Sequence, residues 1–274
     1  MQKDPSAKGN KLFCDAILEQ NLNDVTRLIQ QVDVNGLNCN GTTPLIMASG
    51  NGHLPVVEAL LNHGAVVDKA RTDNGATPLF MASGNGHLPV VEALLGKGAD
   101  PNMAITNGAT PLYVASLLGY NLVVKALLGK GADPNKARTT DGLTPLFIAT
   151  QYGDLEVVEA LLKYGADPNK ARTDTGETPI QVATTREITD LMREYERRNI
   201  IMATSESLQP ITRDTDMTLP KDLYDYMGKK DANGNYVAGR RRKTRKSRKS
   251  KKSKKSRKSK KSKKSRKSKK RRIL

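Results

Sequence analysis

The residues with the clearest chemical capacity are cations and hydroxyls at the C-terminal end. From Arg240 to Leu274 the chain carries 24 of its 46 Lys and Arg residues and no acid. Ser247, Ser250, Ser253, Ser256, Ser259, Ser262, Ser265 and Ser268 recur at every third position, each flanked by Lys or Arg. Self-repulsion keeps such a segment extended, and a period of three matches a polyproline-II-like conformation with hydroxyls along one edge and cations along the other two. Against DNA or RNA this is a counterion-releasing arm whose affinity falls steeply with salt. Arg240, Arg241, Arg242, Lys243, Arg245, Lys246, Arg248, Lys249, Lys251 and Lys252 are its leading contacts. The arm holds no aromatic residue, so the binding it predicts is non-specific. The same run fits a nuclear import signal, or a solubilising extension. Its eight serines suit basophilic kinases, and their phosphates would add about −12 to −16 of charge.

Catalytic chemistry finds no such concentration. His53, His63 and His87 are the only histidines, and His53 and His87 share a Gly-His-Leu context that marks helix starts. No Ser-His-Asp arrangement, metal cluster or phosphate-binding loop assembles at the required spacing. Gly84-Asn85-Gly86 precedes a Pro-containing helix instead of following a strand, which argues against a dinucleotide site. The expectation is a protein without enzymatic activity, cofactor or metal. Cys14 and Cys39 have no metal spacing and make no disulfide framework in a chain of 274 residues, so they read as reduced intracellular thiols. No run approaches the ~18 apolar residues of a membrane span. No membrane partner is expected.

The elements that carry these residues are set by a second, longer period. Thr-Pro-Leu or Thr-Pro-Ile recurs at Thr43, Thr77, Thr110, Thr144 and Thr178, at spacings of 34, 33, 34 and 34 residues. Each Thr can cap a helix with its hydroxyl, and each Pro falls at the first helical position, where a missing N–H costs nothing. Ala48, Ala82, Ala115, Ala149 and Ala183 lie one turn further on, where a small side chain allows close helix approach. Paired leucines at 60/61, 94/95, 127/128 and 161/162 mark a second helix, and Gly64, Gly98, Gly131 and Gly165 follow as left-handed caps.

This pattern resembles the ankyrin repeat, with its Thr-Pro-Leu-His-x-Ala signature at about 33 residues per unit. The resemblance implies an all-α solenoid of helix-turn-helix units with extended finger loops, and a protein partner held on the concave surface. The signature histidine is replaced by Ile46, Phe80, Tyr113, Phe147 and Gln181, so aromatic packing is expected where that histidine would hydrogen-bond.

The expected organisation is a disordered N-terminus at 1–8 and a repeat domain at 9–198. Within that domain we place an N-cap at 9–39, repeats at 40–73, 74–106, 107–140 and 141–174, and a capping repeat at 175–198. A mostly disordered linker occupies 199–239 and the disordered basic tail 240–274. Residues 1–239 hold the remaining 22 basic side chains against all 28 acidic ones, a net −6. In the linker, Leu219-Pro-Lys-Asp-Leu-Tyr-Asp-Tyr-Met227 resembles the opening of an F-box, but too little sequence follows to complete one.

Recognition should reside where the units differ. Met47–Leu61 and Met81–Leu95 are identical, so units one and two present one small, polar surface. Units three and four instead place Leu117, Leu118, Tyr120, Gln151 and Tyr152 at the corresponding positions, with Met103, Ile105 and Leu143 in or beside their fingers. Grouped apolar and tyrosine side chains suit an interface centre. The finger cations Lys69/Arg71, Lys136/Arg138 and Lys170/Arg172 alternate with Asp73, Asp141 and Asp174, and so read as a solvated mixed-charge rim. The functional expectation is a monomeric adaptor in the nucleus or cytoplasm, with an unidentified protein on the stack and DNA or RNA on the tail. The alternatives are a nucleic-acid packaging protein anchored by its repeats, in a virion or on chromatin, and a ubiquitin-ligase substrate adaptor. Repeats joined to a Lys/Arg/Ser-rich end resemble proteins of large DNA viruses.

Overall fold

The computed structural model describes the backbone of residues 5–37, 39 and 41–207, and within these the side chains of residues 9–198. Helices pair in chain order: α1 (Pro5–Leu18) with α2 (Leu22–Leu28), α3 (Pro44–Gly50) with α4 (Leu54–Asn62), α5 (Pro78–Gly84) with α6 (Leu88–Gly96), α7 (Pro111–Leu117) with α8 (Asn121–Gly129), and α9 (Pro145–Tyr152) with α10 (Leu155–Lys163). A final helix, α11, spans Arg186–Ser207. Among the described residues there is no strand, only an isolated bridge between Cys39 and Thr42.

The threonines act as the sequence requires. Thr43, Thr77, Thr110 and Thr144 accept through Oγ1 from the backbone N–H three residues on, at 3.1 to 3.2 Å. First helices stack on first helices and second on second. Leu45, Leu79, Leu112 and Leu146 are fully buried between them, with Leu60, Leu94, Leu127 and Leu161. Ala48, Ala82, Ala115 and Ala149 are completely enclosed, so nothing larger fits at those crossings. A single pair could not bury this apolar surface; the stack does.

Four expectations need correction. Thr178 starts only a 3-10 turn, Pro179–Val182, before Ala183 turns extended. The β-branched Val182, Thr184 and Thr185 are poor helix formers, and Thr185 instead starts α11 by accepting from the Ile188 N–H at 3.3 Å. At the N-terminus, helix begins at Pro5, inside the segment expected to be disordered, with Pro at the first helical position. At the other end, α11 continues nine residues beyond 198, through a stretch free of Gly and Pro. Finally, Cys14 and Cys39 are bonded to each other rather than separate thiols. Phe13 and Ile17, fully buried, seat α1 against α3, and this brings two cysteines 25 residues apart in sequence to a Cα–Cα distance of 5.5 Å.

Candidate protein-binding surface

The joints between units use the two histidines that the sequence marked as helix starts, and one residue that it offered for recognition. His53 Nδ1 lies 2.7 Å from the Ile17 carbonyl and His87 Nε2 lies 3.1 Å from the Gly50 carbonyl, so each histidine ties its unit to the one before. Tyr120 occupies the same register position in the third unit. Its ring is half-buried and packs over Gly86, where a Cβ would come within 2.8 Å of Tyr120 Cε1. Gly86 also has φ of +72°, so both its conformation and its neighbour require glycine. Tyr120 is thus a strut between units.

A second apolar cluster lies along the first helices and the fingers. Ala109, Tyr113, Leu143, Phe147 and Ile148 are its buried members, with Phe80, Ile105, Leu117 and Val182 packed around them. Leu143 is 6% exposed and lies inside this cluster, not at the surface; Ile105 and Leu117 are half-buried at its rim. Met103 is half-buried in the finger preceding the third unit. The Arg138 guanidinium stands 5.2 Å from the centroid of Tyr113 and that of Arg172 5.7 Å from the centroid of Phe147. At Tyr113 and Phe147 aromatic packing therefore takes the place of the signature histidine, with a cation over each of these two rings.

The same arginines are paired. Arg71 grips Asp73 through two nitrogens, and Arg138 and Arg172 do likewise to Asp141 and Asp174. Arg71 pulls the Asp73 carboxyl down to about 2, and Arg138 holds that of Asp141 below its ordinary range. The fingers present closed ion pairs instead of a ladder of free cations.

What stays exposed is narrower than expected. Leu118 is 50% exposed, Tyr152 68%, and Gln151 is also open to solvent. Leu118 and Tyr152 hold one register position, at the ends of α7 and α9, where units one and two carry Asn51 and Asn85. Leu122, 62% exposed, and Leu155 lie just beyond, in the first turns of α8 and α10. Both were missed in the sequence, although Leu122 aligns with Pro55, Pro89 and Glu156, positions that a second helix turns to solvent.

The family model for ankyrin repeats (3 copies) matches residues 13–105 and 112–195. The chain belongs to the ankyrin-repeat family. No curated protein matches it. Ankyrin repeats serve protein–protein interaction, and the fold supports that general role. Among the described residues, no group of three or more His, Cys, Asp or Glu could hold a metal ion, and no helix is long and apolar enough to cross a membrane. Arg240 to Lys252 and the serines Ser247 to Ser268 lie outside the described residues, as does Leu219–Met227.

Proposed function

We propose that this ankyrin-repeat protein is a non-enzymatic adaptor. Its third and fourth units hold a protein partner, and its basic arm keeps the pair on nucleic acid or carries it into the nucleus. The observation that carries the first half is the exposed apolar group of Leu118, Leu122, Tyr152 and Leu155, at register positions where units one and two carry Asn, Pro or an apolar side chain already half-buried. Exposed apolar and tyrosine side chains in one patch are the usual centre of an interface. Gln151 supplies a polar edge, and Met103, Ile105 and Leu117 shape the adjoining concave side.

The second half rests on 24 cations without an acid between Arg240 and Leu274. Retention on DNA and on RNA, measured over a salt series for the full chain and for residues 1–239, tests it. The arm should account for nearly all binding, with a steep loss as salt rises; equal retention by the truncated form would refute it. Exhaustive phosphorylation of the serines should abolish most of the attraction. A packaging protein anchored by its repeats is the second reading, favoured by the same charge density. It predicts that Leu118→Arg leaves protein partners unaffected. A nuclear or cytoplasmic location follows from the adaptor reading and is checked by imaging a fluorescent fusion with and without residues 240–274.

A further inference from the structure

Successive fingers are joined by one repeated set of contacts. Asn102 donates from Nδ2 to the Gly131 carbonyl at 3.0 Å, accepts through Oδ1 from the Asp133 N–H at 2.8 Å, and offers its own carbonyl to Lys136 Nζ at 2.9 Å. Asn135 repeats all three, with the Gly165 carbonyl at 2.9 Å, the Asp167 N–H at 2.7 Å and Lys170 Nζ at 2.7 Å. Asn35 makes the first two, to the Gly64 carbonyl and the Val66 N–H. A carboxamide suits the position because it carries a donor and an acceptor on separate atoms of one short side chain, so it can hold a carbonyl and an N–H at once. Each rung therefore reads an extended segment: a main-chain carbonyl, an N–H two residues on, and an ammonium three residues beyond that.

Asn169 is the same residue in the finger that precedes α11, and among the described residues no finger follows it. Its N–H donates to Asp167 Oδ1 at 2.9 Å, as Asn102 does to Asp100 and Asn135 to Asp133, so its local turn matches that of the filled rungs. Its side chain is exposed and, among the described residues, engages nothing. Beside it an open groove of about 500 Å³ is lined by Asp167, Pro168, Asn169 and, from α11, Tyr195 and Glu196. The lining carries two carboxylates and no cation.

We propose that this last rung docks an extended, lysine-bearing segment of a partner protein. Asn169 takes the segment's main chain through both ends of its carboxamide, and its carbonyl takes the lysine, with Asp167 and Glu196 supplying the opposing charge. The site is separate from the Leu118 and Tyr152 face. A few hydrogen bonds and one charge pair make it weak alone, so it acts by adding to an attachment made elsewhere on the stack.

The test is a titration of the isotopically labelled full chain with acetyl-Gly-Ala-Asp-Pro-Asn-Lys-amide, a copy of the segment that the filled rungs read, followed by NMR. The side-chain amide signals of Asn169 and the backbone signals of Asp167 and Glu196 should shift saturably at millimolar peptide. Asn169→Ala should weaken binding about tenfold, and a peptide with Gln in place of Lys about as much. Asn169→Asp, which keeps only the acceptor, guards against misfolding as the explanation and should fall between. Absence of shifts at these residues up to about 10 mM peptide, or equal shifts in the Asn169→Ala variant, would overturn the proposal.

Discussion

Both carboxylate oxygens of Asp68 face one backbone N–H, that of Asp100, at 3.1 and 3.3 Å. Asp68 holds the rung position that Asn35, Asn102 and Asn135 fill elsewhere, and a carboxylate cannot donate to the carbonyl that each asparagine reaches. Burial is the main cause that raises the Asp68 carboxyl above its ordinary value of 3.8, and the nearby Asp100 charge adds to it. The joint between the first and second fingers accordingly lacks the donated hydrogen bond that the asparagine joints make.

Asp68→Asn should stabilise the stack by about 1 kcal/mol at neutral pH, by restoring the missing donor. A carboxyl with a raised folded value contributes stability that is fully present below its unfolded value of 3.8 and is lost as pH rises through the folded value. The advantage of the asparagine should thus shrink as pH falls towards 3.8. Denaturant unfolding of both proteins at several pH values measures it.

Two glycines at the C-terminal end of α6 should respond oppositely to alanine. Gly98 has φ of +86°, so Gly98→Ala should cost about 1 to 2 kcal/mol. Gly96 ends α6 in ordinary helical conformation with nothing within 4 Å of a built Cβ, so Gly96→Ala should gain about 0.4 to 1 kcal/mol. Thermal unfolding of the pair separates the two signs.

Ser49, Ser83, Ser116 and Thr150 are fully buried along the first helices, and their hydroxyls have no hydrogen-bond partner. Removing an unsatisfied buried hydroxyl relieves its desolvation cost, so Ser83→Ala should raise stability by about 1 kcal/mol. Leu94→Ala in the adjacent second helix should lower it by about 2 to 5 kcal/mol. Calorimetry of the two variants provides the contrast.

The disulfide ties α1 to the segment that leads into the first unit. Breaking it by Cys14→Ser with Cys39→Ser should cost about 2 to 4 kcal/mol, and hydrogen exchange should rise in α1 and α2 before the third and fourth units respond. Uniform loss of protection along the stack would contradict that local role.

The stack was legible because its signals are local. The hydroxyl of Thr77 caps a helix three residues away, and Pro78 sits at its first position. What escaped reading depends on residues distant in sequence. Cys14 meets Cys39 only once α1 packs on α3, and Asn102 earns its role from a carbonyl and an N–H about thirty residues on. In the candidate site, Leu118 and Leu143 are both leucines beside the third and fourth units, yet one is half exposed and the other enclosed. Leu143 follows the finger whose Arg138 stands over Tyr113 and packs with Tyr113 and Phe147 in one buried cluster, a closure that sequence spacing alone does not reveal.

The adaptor reading requires a protein partner on the apolar face of the third and fourth units. The most direct measurement is quantitative capture of interacting proteins by the full chain, by the Leu118→Arg/Tyr152→Ala variant, and by an Asn51→Arg/Asn85→Arg variant altered at the same register in the first two units. At least one partner should fall about tenfold or more with the first variant and persist with the second. The same set of partners, at the same abundance, on all three proteins would rule out this face as the binding surface.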